Sequence, residues 1–241
     1  EEDNWGSLTL EVWQSPPIEG CTDEYADNYN SDAHVDDGSC TGYAYPDNGN
    51  YALDFNGENV YVSIPHNDML NLSEGDYSVG VWFYADSDKP AAYGNEWGTI
   101  VSKQHAGPFW YAVGYLDNPG AYWHYVEGIE NGASASNLIQ YDQWNYMVSV
   151  YNGETHTDYL NGQAIFTVPT GGQVVGNNLD FIIGRCNDGE GLGAHPYQFY
   201  GMIDKLMLYN RALNEEEMQF NMFSDELYNE EDLVAYYKFN S

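Results

Sequence analysis

The sequence predicts an all-β fold of two packed antiparallel sheets with one short helix near its C-terminal end. Three observations carry this. Two Asn-Gly pairs, Asn152-Gly153 and Asn161-Gly162, punctuate the stretch Gln143–Val168, and such pairs supply the positive φ angles of two-residue hairpin turns. Alternating segments flank both, so the stretch reads as a three-strand antiparallel meander. In its first strand Trp144, Tyr146, Val148 and Val150 alternate with Asn145, Met147, Ser149 and Tyr151; apolar residues of both parities mean that both faces are covered, so a second sheet must lie against it. The whole chain offers roughly twelve to fourteen short strand patterns and one convincing helix, the balance of a sandwich.

Taken in order, residues 1–19 hold a strand-like piece, Leu8–Trp13, and the Ser15-Pro16-Pro17 break, where successive prolines stiffen the chain and end any pairing. Residues 20–43 form a different kind of segment. Between Cys21 and Cys40 lie Asp23, Glu24, Asp27, Asp32, Asp36 and Asp37, interleaved with Asn28, Asn30 and Ser31, and almost nothing apolar. Such a segment holds a shape only through a crosslink, a metal, or both. A Cys21–Cys40 disulfide would contribute about 3 kcal/mol by restricting the unfolded loop, and short, irregular spacing of oxygen ligands suits Ca²⁺, although it is not an EF-hand spacing.

The main domain spans residues 44–223. Strands are expected before the Asn56-Gly57 turn, over Val60–Ile64, Asp76–Tyr84, Gly98–Lys103, Asn178–Gly184 and Phe199–Leu208. A hairpin from Phe109 to Val126, turning at Asp117-Asn118-Pro119-Gly120, gathers Trp110, Tyr111, Tyr115, Tyr122, Trp123, His124 and Tyr125. Asn214 is placed to cap a helix whose first turn, Glu215-Glu216-Glu217, complements the positive end of its dipole. Residues 224–241 end in the strand pattern Leu233–Phe239, read either as the opening of a further domain or as a closing strand of this one.

The totals exclude several partner classes. Six Lys and Arg stand against 38 Asp and Glu in 241 residues, a formal charge of −32. So negative a field repels phosphate backbones and anionic lipid heads, which excludes nucleic acid and acidic membranes, and it attracts hard cations such as Ca²⁺. No apolar run approaches the ~18 residues of a membrane span, and no charged start followed by an apolar core marks a signal peptide, so a mature or trimmed segment is expected. Asn71-Leu72-Ser73 is an N-glycosylation sequon.

The order ALDFNGENVYVSIP, DYSVGVWFY, QWNYMVSVYNGETHTDYLNGQ, LDFIIGR and FYGMIDKLMLYNRALNEEEM resembles the laminin-G-like jelly-roll domains of the concanavalin A-like lectin/glucanase group. The most specific part is Gly201–Asp204 through Asn210–Leu213 leading into the acidic helix start. The Cys-bounded segment resembles a short Asp-rich repeat of secreted modular proteins. The resemblance implies a jelly-roll sandwich, extracellular, with Ca²⁺ at its rim and a surface for a glycan or protein ligand on a cell surface or matrix. It makes Asp204 the first metal candidate, with Asp54, Asn56, Asp188 and Glu190 as partners.

Three functions compete. A glucanase of this group needs a Glu-x-Asp-x-x-Glu strand, absent here, and no Gly-x-Ser-x-Gly elbow supports a serine nucleophile. A carbohydrate-binding module needs Trp and Tyr faces beside Asp, Asn and Ca²⁺ to read hydroxyls; Trp110 and Trp123, with Tyr122 and His124 beside them, are the expected ligand residues. A structural block of an extracellular filament needs no small ligand, and a donated terminal strand would chain neighbouring copies. The expectation is the non-catalytic, Ca²⁺-binding adhesion or glycan module.

Overall fold

A computed structural model of the chain describes residues 17–22, 26–41, 52–57, 60–88, 97–103, 110–114, 120–128, 130–135, 137–186, 197–224 and 226–239. The chain divides into two units, Glu1–Ala44 and Tyr45–Ser241. Leu8–Trp13 lies outside the described residues.

In the first unit β1 (Glu19–Gly20) pairs in parallel with β2 (Val35–Asp36), and a disulfide joins Cys21 to Cys40 with their Cα atoms 4.7 Å apart. With so little to bury, local side-chain bonds shape the loop. Asn30, Asp36 and Asp37 each accept the N–H two residues on, from Asp32, Gly38 and Ser39. Asn28 accepts from Thr41 N–H and donates to the Ser39 carbonyl at 2.6 Å. The first three are Asx turns, in which a short polar side chain completes the backbone's bonding, while Asn28 ties together more distant parts of the loop.

The second unit runs β3 (Leu53–Asn56), β4 (Val62–Ile64), a 3-10 turn Asp68–Asn71, β5 (Tyr77–Ala85), β6 (Trp97–Ser102), β7 (Trp110–Gly114), β8 (Tyr122–Val126), β9 (Glu130–Ala135), β10 (Trp144–Tyr151), β11 (Thr155–Leu160), β12 (Gln163–Pro169), β13 (Phe181–Ile183), β14 (Tyr200–Tyr209), α1 (Glu215–Phe223) and β15 (Leu233–Tyr237). One sheet has seven strands, in the order β12-β11-β10-β5-β14-β15, with β3 also on β14. The other has six, β4-β13-β6-β7-β8-β9, and all pairings in both are antiparallel. Val79, Val81 and Phe83 of β5, Met147 of β10 and Leu206 and Leu208 of β14 share one core with Ile100, Tyr111, Val113, Val126, Phe181 and Ile183 of the facing sheet. This is the predicted jelly-roll sandwich.

The meander forms as β10-β11-β12, but its two turns differ. Asn161 and Gly162 both take positive φ, 50° and 80°, as a two-residue turn requires. At the other turn only Gly153 does, and three residues separate β10 from β11. The Asn152 side chain accounts for the difference, since its Oδ1 accepts the N–H groups of Glu154 and Thr155 and closes a wider loop. Asn214 caps α1 as expected: its side chain accepts from Glu217 N–H while Glu217 reaches back to Asn214 N–H. The terminal strand β15 pairs with the C-terminal half of β14, closing this sheet.

Candidate functional site

Along β8 the side chains alternate across the six-stranded sheet. Tyr122, His124 and Val126 are buried, while Trp123 and Tyr125 are half-buried and pack with Trp97 and Tyr197 over Ala112 and Cys186. Trp97 and Trp123 meet edge to face, ring centroids 5.7 Å apart. Small Ala112 leaves the floor low, and four partly exposed rings surround it, an arrangement that offers flat apolar area at small entropic cost. Trp110 opens β7 opposite Tyr125, but its side chain is outside the described ones. Tyr122 and His124 are corrected: exposed by 2 % and 0 %, they belong to the interior and meet no surface ligand. The thiol of Cys186 is likewise buried, the setting of an inert cysteine rather than a reactive one.

The inward face carries chemistry of another kind. His124 Nδ1 meets Asp158 Oδ2, and Asp158 Oδ1 lies 3.4 Å from His156 Nε2. That nitrogen is 2.7 Å from Ser149 Oγ, which accepts the Tyr111 hydroxyl at 3.0 Å; the Tyr77 hydroxyl is 3.5 Å from the same nitrogen. Burial pushes the Asp158 carboxyl up, but His124 and His156 outweigh it and hold the group well below the usual carboxylate range. Burial, and then the Asp158 charge, push the Tyr111 and Tyr122 hydroxyls up, so both stay protonated. The set contains Ser, His and Asp without being a nucleophilic relay, because Ser149 and Asp158 address the same imidazole nitrogen and water is excluded. Sequence reading missed it; the signal was His156-x-Asp158 at strand spacing, one residue beyond a turn, with Leu160 on the same face.

A sequence profile of the laminin G type, described as concanavalin A-like lectin/glucanases superfamily, matches residues 56–219. The chain belongs to this superfamily. No curated protein matches it. Among solved structures, a Bacteroides ovatus protein assigned as carbohydrate-binding superposes with TM-score 0.60 at 18% identity, covering 79% of this chain and 51% of its own. The chain thus spans about half the length of that relative. Domain 4 of the extracellular arabinanase AbnA from Geobacillus stearothermophilus, solved with arabinotriose, gives 0.52 at 21% identity over 76% of this chain and 84% of that one. The CBM40 domain of a Ruminococcus gnavus sialidase, bound to α2,6 sialyllactose, gives 0.50 at 11% identity over 72% and 96%. At these identities the likeness is one of fold.

In this concanavalin A-like sandwich the proposed metal residues are scattered. Asp23, Asp188 and Glu190 lie outside the described residues. Asp204 is fully buried on β14 opposite Trp82, whose indole reaches α1, so it is enclosed rather than at a rim. Asp54 and Asn56 are exposed on the edge strand β3. Asp27, Asp32, Asp36 and Asp37 are exposed in the first unit, where the bonds described above already engage Asp36 and Asp37. A further group of acids does sense one another: burial, then Asp142, Asp88 and Asp54, push the Asp86 carboxyl up. Among the described residues, the set of His, Cys, Asp and Glu whose ligating atoms converge within 4.8 Å is His124, His156 and Asp158. The sequon fails for a steric reason: Asn71 is buried and its Oδ1 accepts from Lys103 Nζ and Asn177 N–H. No described helix is long and apolar enough to cross a membrane.

Proposed function

We propose that the chain is an extracellular, non-catalytic carbohydrate-binding module that takes its glycan on the outer face of the six-stranded sheet. The observation that carries this is the half-buried aromatic set Trp97, Trp123, Tyr125 and Tyr197 over Ala112. Sugar rings present CH faces edged by hydroxyls, and such a set matches the first of these features. The superfamily and the ligands of its structural neighbours favour the same ligand class, and the Cys21–Cys40 disulfide favours an oxidising compartment. The absent glucanase carboxylate pattern favours binding without cleavage.

Ca²⁺ is the proposed cofactor, held by oxygen ligands at the acidic rim formed by Asp54, Asp86, Asp88 and Asp142. Burial first, and then the three neighbouring carboxylates of Asp142, Asp88 and Asp54, raise the Asp86 carboxyl, and a hard cation relieves such crowding. Melting with EDTA and then with added Ca²⁺ at fixed ionic strength is expected to show a rise specific to Ca²⁺ over Mg²⁺; an unchanged melt removes the calcium part of this reading alone.

Binding is tested on a glycan array with Ca²⁺ present, followed by titration calorimetry on the best binder. Trp97→Ala and Trp123→Ala are expected to lose at least about tenfold in affinity, while Phe220→Ala, on the exposed side of α1, binds as the parent does. Retained affinity in folded Trp97→Ala and Trp123→Ala proteins would overturn the assignment of this face.

A further inference from the structure

We propose that His124, His156 and Asp158 form an interior site for a metal ion of the zinc class, bridging the two sheets of the sandwich. His124 comes from β8 of the six-stranded sheet; His156 and Asp158 come from β11 of the seven-stranded one. All three side chains are fully buried and their ligating atoms lie within 4.8 Å of one another. Two imidazole nitrogens and one carboxylate are a donor set for zinc and its first-row neighbours, whereas calcium takes oxygen. Ser149 Oγ, 2.7 Å from His156 Nε2, stands at the edge of the set as a fourth donor. The hydroxyls of Tyr77 and Tyr111 line the same space.

The competing account is a proton. One protonated imidazole would neutralise Asp158, and this explains one histidine but not two. The ring centroids of His124 and His156 are 4.7 Å apart, so both imidazoles face one space. A proton between His124 and Asp158 leaves His156 to the Ser149 and Tyr77 hydroxyls; a metal uses all three ligands. With no solvent access and three protein ligands, the ion would act structurally, as a crosslink between sheets, and would enter during folding.

The test uses the full chain, free of any tag, unfolded in urea with chelator and refolded with Zn²⁺ or Co²⁺ and then washed with excess Ca²⁺. Elemental analysis is expected to find one equivalent of Zn²⁺ per chain. The Co²⁺ form is expected to show the visible bands of a four-coordinate site, and its melting temperature should exceed that of metal-free protein. Asp158→Asn and His156→Gln are expected to lose the metal and the bands, while Cys186→Ser keeps both. Wild-type protein that refolds to the same melting temperature without retaining Zn²⁺ overturns the proposal, as does equal uptake by Asp158→Asn; the wild-type measurement decides even where the variants do not fold.

Discussion

Trp82 donates its indole N–H to the carbonyl of Met222 at 3.1 Å, fastening the last turn of α1 to the outer face of the seven-stranded sheet. Trp82 is fully buried there, its ring tilted against Tyr146 with centroids 5.2 Å apart. Replacing it with Phe keeps most of the ring volume and strands a buried carbonyl, at a cost of about 1–3 kcal/mol. Urea unfolding should show a lower midpoint at unchanged slope; an unaltered midpoint would mean the helix is held by packing alone.

Glu217 carries two duties on one oxygen. Its Oε2 accepts from Arg211 Nη1 at 2.8 Å and from Asn214 N–H at 2.9 Å. The Arg211 bond outweighs burial and lowers the carboxyl below its ordinary 4.5. A carboxyl depressed in the folded state stabilises above the unfolded value and loses that contribution as pH falls through the folded one. Glu217→Gln should therefore cost about 1–2 kcal/mol at pH 7, and the gap to wild type should close as pH falls below the ordinary 4.5 and through the lowered folded value. A gap that persists in acid, measured by urea unfolding, would show that charge plays no part.

Lys103 is buried, with Nζ donating to Asn71 Oδ1 at 2.9 Å and to His66 Nδ1 at 3.1 Å. Burial lowers its ammonium to about 8, against the pull of Asp180 and Asp68. Between that value and the ordinary 10.5 the unfolded chain holds more protons than the folded one, so stability rises with pH across this window. Wild type should gain on Lys103→Met as pH climbs through the lower part of it; tyrosine ionisation in the unfolded chain is common to both and cancels. A difference that stays flat would place the ammonium in water.

Gly201 has φ +133°, and a Cβ there would lie 1.9 Å from the Tyr84 carbonyl oxygen on β5. Backbone cannot yield as a flexible side chain does. Gly201→Ala should cost at least about 3 kcal/mol, read as a large fall in melting temperature or as loss of soluble protein. A variant that melts with wild type would mean that β14 and β5 can separate locally without cost.

The sheets were legible because their signals are local. Asn161-Gly162 specifies its turn by backbone preference, and Asn214 with Glu217 specifies the helix start by hydrogen bonding; neither needs a distant partner. β9 gave no signal, since Glu130–Ala135 contains neither a β-branched nor an aromatic residue and pairs because β8 offers an edge. The aromatic face was half legible. In Tyr122-Trp123-His124-Tyr125 both parities are bulky, and alternation separates two faces without saying which turns inward. Only the opposite sheet, packed on Tyr122 and His124, decides it.

The interior polar cluster was hidden for a related reason. His124 is 32 positions from His156, and their meeting depends on how one sheet lies over the other. The sequon failed in the same way, since three residues of local pattern say nothing of the Lys103 side chain that occupies Asn71. In each case the chemistry arises from tertiary contact rather than from spacing along the chain.

The two halves of β14 receive different partners on one edge, β3 along Tyr200–Ile203 and β15 along Leu206–Tyr209. Both run antiparallel to β14, so they point the same way, the last strand stopping at Tyr237 beside Leu206 where the first begins at Leu53 beside Ile203. Three residues of β14, about 10 Å, separate the start of the first strand of this sandwich from the end of its last. A load applied at Leu53 and Tyr237 would therefore enter this sheet through neighbouring stretches of one strand, β14.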